Sequence, residues 1–254
     1  MRILYQFPLS HFCEKARWML DYKELDYVAQ NLTPGVHRAF ARLKTGQNRL
    51  PILKDQTTFI ADSTQIALYL DAHYPEHRLL PVDPHLRQSV LDINEMTLEM
   101  GRHIRRWILS QAFHDDQESM DILIGEKGYL RQFERFSKPL LKAVMTKGYA
   151  LNEASVAESK HFIDESIEHL NQLYVQQGSQ YFVGQRFSLA DIAVCSMLAP
   201  LLSIQGTPWE KEHFEMLSEE FRSYQQALLE KPLGQYVLKM YQTERSARVD
   251  WRGV

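Results

Sequence analysis

Arg2-Ile3-Leu4-Tyr5-Gln6-Phe7-Pro8-Leu9-Ser10-His11-Phe12-Cys13-Glu14-Lys15-Ala16-Arg17-Trp18-Met19-Leu20 opens the chain with an apolar run, a proline turn and a stretch of helical period. Residues 3–7 read as a strand, and from about residue 11 to 22 apolar side chains return at helical spacing. Residues 25–31 read as a second strand, so the chain begins as a βαβ unit. A short helix is expected over 36–43, then strands at 50–54 and 57–61 joined tightly through Asp55-Gln56. A helix starting at Asp62 or Ser63 closes the unit, where Asp62 with Gln65 three residues later makes a capping-box-like start. The order β-α-β-α-β-β-α within residues 1–75 is that of a thioredoxin-like α/β domain with helices on both sheet faces.

Outward from this unit the pattern changes. Residues 76–85, next to Pro75 and containing Pro81 and Pro84, lack helical period and read as an inter-domain linker. Residues 86–254 then read as an all-helical domain. The segment 86–112 carries Val90, Ile93, Met96, Met100, Ile104, Trp107 and Ile108 at helical spacing. Further helices are expected at about 129–145, 156–176, 189–204, 215–230 and 233–243. In Arg186-Phe187-Ser188-Leu189-Ala190-Asp191-Ile192, Ser188 is the N-cap, Asp191 closes the capping box, and Phe187 staples Ile192. The tail 244–254 is largely polar and charged, and its sequence assigns it no state.

A chain of 254 residues with 44% apolar content can bury an ample core. Its two cysteines, Cys13 and Cys195, cannot build a disulfide framework, and their scarcity suits a reducing compartment, here the cytoplasm. The N-terminal apolar run is too short for a signal peptide. The most apolar stretch, 192–202, is broken by Ser196 and Pro200 and falls well short of the roughly 20 residues that span a bilayer, so no membrane partner is expected. With 29 basic and 32 acidic side chains and a net charge of −3, the chain has no basic field to condense on nucleic acid. Arg102, His103, Arg105 and Arg106 form a local cluster that could meet an anionic substrate, a solvated or subunit-facing helix surface being the other reading.

Three short motifs carry candidate chemistry. Ser10-His11-Phe12-Cys13 stands where the first strand turns into the first helix. A helix N-terminus offers unpaired N–H groups and the positive end of the macrodipole, which stabilise a thiolate, and Ser10 can add a hydroxyl donor. A thiol of pKa about 8.5 is only a few per cent ionised at neutral pH. Lowering it by about two units takes roughly 2.7 kcal/mol, which one charge-assisted hydrogen bond plus a helix dipole can largely supply. Plain helix capping by Ser10 is the alternative. In the second motif, Asn48-Arg49-Leu50-Pro51-Ile52-Leu53, a cis Leu50–Pro51 bond would turn the Leu50 backbone outward to pair with an extended peptide. A trans proline at an edge strand is the alternative. In the third, Ala61-Asp62-Ser63-Thr64-Gln65, a helix start with the Ser63 hydroxyl makes a carboxylate site. Asp62 could hold an adjacent ammonium or serve only as a cap.

Together and in this order, these features resemble the glutathione S-transferase superfamily, in its serine-type, theta-like or bacterial-like form. The resemblance covers most of the chain. It implies that Ser10 is catalytic, that Pro51 is the cis-proline, and that Asp62 and Ser63 are the acid–serine pair holding glutathione, the co-substrate. Arg49 and Leu50 would flank its peptide part, and Lys44 or Asn48 would approach its glycyl end. The electrophile pocket is expected from Phe12 and, on the first long helix, Met96, Met100, His103, Ile104 and Trp107, although bundle core explains the apolar ones equally. The implied activity is conjugation of glutathione to small hydrophobic electrophiles by a homodimer without a metal. A peroxidase or isomerase, or a ligand-binding protein without turnover, are the alternatives.

Departures from the family's other patterns are also legible. Gln6 stands where tyrosine-type enzymes carry their catalytic tyrosine, which disfavours a tyrosine mechanism through Tyr5. A glutaredoxin-like or omega-like enzyme would need its cysteine at position 10, so Cys13 is expected to pack within the helix. The Ser-Ser-Cys pattern of zeta-type isomerases is missing. His73 and His77 are four apart, but Pro75 interrupts the helix that would align them as metal ligands.

Overall fold

The computed structural model describes residues 1–33, 35–114, 148–210 and 218–254. Strands β1 (Arg2–Gln6), β2 (Tyr27–Asn31), β3 (Ile52–Asp55) and β4 (Thr58–Ala61) form one sheet in the order β2-β1-β3-β4. β1 runs parallel to β2 and antiparallel to β3, and β3 runs antiparallel to β4. Parallel pairing of β1 with β2 requires a crossover, supplied by α1 (His11–Tyr22). The tight turn falls on Gln56-Thr57, one residue later than expected, and Gln56 takes a positive φ of 53° there. Helices α2 (Val36–Thr45) and α3 (Ser63–His73) complete the mixed α/β unit.

Period-2 alternation assigns the two sheet faces. Leu4 of β1 and Leu53 of β3 face the main core under α1 and α3, while Tyr5 and Ile52 face a smaller cluster with Ala41 of α2 and Ala61. The main core continues without a break into the helical part. There α4 (Pro84–His114), α5 (Glu153–Gln177), α6 (Leu189–Leu198), a 3-10 turn (Ala199–Leu201), α7 (Glu219–Glu230) and α8 (Pro232–Thr243) make an all-α bundle. The helix expected over 129–145 and the first residues of that expected over 215–230 lie outside the described residues. The helix expected over 189–204 is interrupted: Pro200 has no N–H to continue an α-helical ladder, and the chain tightens into the 3-10 turn.

The connection between the two parts is pinned rather than loose. Asp71 of α3 accepts the Leu79 and Leu80 N–H groups at 2.9 and 2.8 Å, and both leucines are buried. Lys23 pairs with Asp71 at 2.8 Å and donates to the carbonyls of Tyr74 and Glu76. The Leu189 N–H donates to the Leu79 carbonyl at 2.8 Å, tying the connection to the start of α6. Among the described residues no helix is long and apolar enough to cross a membrane.

Candidate functional site

Strand register brings the three motifs to one end of the sheet. Tyr5 of β1 faces Ile52 of β3, and Ile52 faces Ala61 of β4. One step further along this row stand Gln6, leading to Ser10, then Pro51, and Asp62 with Ser63 beside it. The Leu50–Pro51 peptide is cis.

Ser10 caps α1 in extended backbone geometry, and its hydroxyl oxygen accepts the Cys13 N–H at 3.3 Å. Capping uses a lone pair and leaves the hydroxyl proton free, so the capping and donor readings of Ser10 are compatible. Cys13 is fully buried, burial pushes its thiol pKa up, and Phe7 donates its N–H to the sulfur at 3.5 Å. Gln6 is also fully buried; it accepts from Arg17 and donates to Asn31 at 3.1 Å, a structural role.

At the start of α3, Asp62 takes a positive φ of 74°, a region that non-glycine residues rarely occupy. Its carboxylate accepts the N–H groups of Thr64 and Gln65 at 2.8 and 3.3 Å. Ser63 is buried, and its hydroxyl has no hydrogen-bond partner. A buried hydroxyl without a partner costs free energy unless a ligand satisfies it. Standing at the positive end of the α3 dipole, this hydroxyl suits a carboxylate.

Sequence reasoning missed the support behind this helix start. Lys15 is fully buried and donates to Asn94 of α4, whose amide donates to Thr64 of α3 at 3.0 Å. Burial lowers the Lys15 pKa to about 7, against the pull of Asp62 and Glu95. A lysine inside the buried stripe of α1 was the available signal; its partner lies 79 residues away.

The remaining candidates divide. Lys44 lies over the Phe59 ring at 5.2 Å, Asn48 and Arg49 are exposed, and Leu50 packs beside the smaller cluster. Phe12 is half-buried and packs on His11, whose Nε2 lies 2.9 Å from the Gly101 carbonyl of α4. Met96 and His103 keep some surface, but His103 bonds Ser159 at 3.0 Å and stacks on Phe162. Met100, Ile104 and Trp107 are buried in the bundle core, with Trp107 packed against Phe221 and Tyr224 of α7. Among the described residues no group of three or more His, Cys, Asp or Glu could hold a metal.

Comparison with known proteins finds matches for both parts of the chain. Residues 4–78 match the family description "Glutathione S-transferase, N-terminal domain" and residues 131–232 match "Glutathione S-transferase, C-terminal domain", together more than half of the chain. The chain is 25% identical to glutathione S-transferase TCHQD of Arabidopsis thaliana, over 78% of this chain and 76% of that protein. Over 85 residues, 32% of this chain and 38% of its relative, it is 38% identical to a zeta class glutathione S-transferase of Euphorbia esula. The solved structure of a glutathione S-transferase from Methylobacillus flagellatus with glutathione bound superposes with a TM-score of 0.57 at 15% identity, covering 93% of this chain and 98% of that one, which is a likeness of fold.

Proposed function

The chain belongs to the glutathione S-transferase superfamily and is a glutathione transferase; on that premise we propose that it is of serine type, with Ser10 donating its hydroxyl proton in a hydrogen bond to the glutathione sulfur. The thiolate, stabilised by that bond and by the N-terminus of α1, attacks a small electrophile. The observation that carries this reading is the place of the Ser10 hydroxyl, which caps α1 by accepting the Cys13 N–H at the mouth of the helix.

In the same reading, the γ-glutamyl carboxylate sits at the start of α3 on Ser63, and Asp62 holds the adjacent ammonium. The Leu50 backbone beside Pro51 pairs with the peptide, and Lys44, Asn48 and Arg49 flank its glycyl end. Phe12, Met96 and His103 line the electrophile side, with Met100, Ile104 and Trp107 packing behind them. A cytoplasmic homodimer, tested by its mass in solution, is part of the proposal. The buried free cysteines support a reducing compartment.

Replacing Ser10 by Ala tests the reading. The pKa of bound glutathione, followed by thiolate absorbance, rises by about one to two units, and kcat/KM for a chloronitrobenzene falls about tenfold to a hundredfold. Unchanged values of both would remove Ser10 from the chemistry.

A further inference from the structure

Arg105 stands on α4 one turn after Gly101, on the side of that helix that meets the start of α1. At Gly101 a Cβ would lie 3.2 Å from both His11 Nε2 and the Phe12 ring. The Arg105 guanidinium lies between two aromatic faces, 5.4 Å from the centre of the Phe12 ring and 4.9 Å from that of Tyr149. Its Nε is shut off from solvent and has no hydrogen-bond partner. Its cationic neighbours differ. Arg102 pairs with Glu99, and Arg106 bonds Ser159 and the Tyr149 carbonyl, whereas neither Arg105 nor Arg49 has a carboxylate partner among the described residues.

A half-buried guanidinium without a counter-charge is unfavourable, and the like charges around it add to the cost. Burial, then Arg49, Arg102 and Arg106, lower the Arg105 pKa. Contact with two rings holds the planar group in place, and its unpartnered Nε is a donor that an anionic acceptor would satisfy. The group adjoins Phe12, two residues from Ser10, where the second substrate meets the glutathione sulfur in the reading above.

On that reading, we propose that Arg105, with Arg49 beside it, receives an anionic group of the second substrate, making the electrophile site selective for carboxylate- or sulfonate-bearing electrophiles. With a chlorodinitrobenzoate, the thiolate attacks the ring carbon bearing chlorine. The C–S bond forms, the C–Cl bond breaks, chloride leaves with the bonding pair, and the thiol proton goes to solvent.

The test compares a chlorodinitrobenzoate with its methyl ester, each kcat/KM divided by its uncatalysed rate constant. The parent favours the carboxylate. Arg105→Met lowers the carboxylate-to-ester ratio by about tenfold or more, and Arg105→Lys keeps part of it, whereas a merely structural role moves both substrates together. A ratio unchanged in Arg105→Met, or a parent that favours the ester, overturns the proposal while ester turnover upholds the transferase reading. A changed mass in solution for Arg105→Met assigns the residue to a subunit contact and also overturns it. No turnover of either substrate by the parent overturns the transferase reading, and this proposal with it.

Discussion

His11, next to the proposed catalytic serine, shows how one side chain couples the site to stability. It is buried, and burial, followed by the Arg105 charge, lowers its pKa to about 3 from the ordinary 6.5, despite the bond to the Gly101 carbonyl. The folded state therefore holds His11 neutral, while the unfolded chain binds its proton below 6.5. Its contribution is fully present above 6.5 and is lost as pH falls toward 3. Between about pH 7.5 and about pH 5 this one group removes about 2 kcal/mol. Urea unfolding at the two pH values measures the loss, and His11→Gln, which keeps an amide donor for Gly101, flattens it. An equal pH dependence in the variant would assign the loss to other groups. Ser10, Asp62 and Ser63 were legible as candidates because caps and helix starts are local. The unpartnered state of the Ser63 hydroxyl was not, since it depends on what the fold leaves beside it.

At the scale of elements, α6 is built as its sequence predicts. Ser188 and Asp191 complete a capping box, and Asp191 accepts from the N–H groups of Phe182 and Ser188, both at 2.7 Å, and from the Ser188 and Tyr236 hydroxyls. One buried carboxylate thus serves a helix start, the turn before it and α8. The box was visible in the sequence; the Phe182 and Tyr236 bonds were not, because they join positions 9 and 45 residues away. Phe187 makes ring contacts with Trp18, Tyr22 and Tyr181, so the residue expected to staple α6 also binds the bundle to α1. Asp191→Ala strands several buried donors and lowers stability by about 3 kcal/mol or more, read from the denaturant midpoint. A shift below about 1 kcal/mol would show that water replaces the carboxylate.

For the whole molecule, the tail left open by its sequence returns to the sheet. Val254 bonds β2 through both its backbone groups: its carbonyl accepts the Asn31 N–H and its N–H donates to the Ala29 carbonyl, both at 2.8 Å. The tail thereby covers the free edge of β2, the end strand of the sheet. Gly253, at a φ of 62°, permits this approach, since a Cβ there would lie 2.7 Å from the Ala29 carbonyl oxygen. Arg245 bridges Glu14 and Asp21 of α1 at 2.8 and 2.7 Å and is almost fully enclosed. Arg245→Met leaves two buried carboxylates without that partner and costs about 3–5 kcal/mol in the urea midpoint; a loss under about 1 kcal/mol would make the bridge incidental. The sequence by itself determined the element types, the caps and the order that places a thioredoxin-like unit before a helical bundle, because periodicity and capping act over a few residues. Only the tertiary structure decided that Lys15 meets Asn94, that Arg105 lies between Phe12 and Tyr149, and that Gln6 reaches the Trp251 carbonyl 245 residues away. Such contacts follow from how packed helices and strands are aligned in space, which no local pattern encodes.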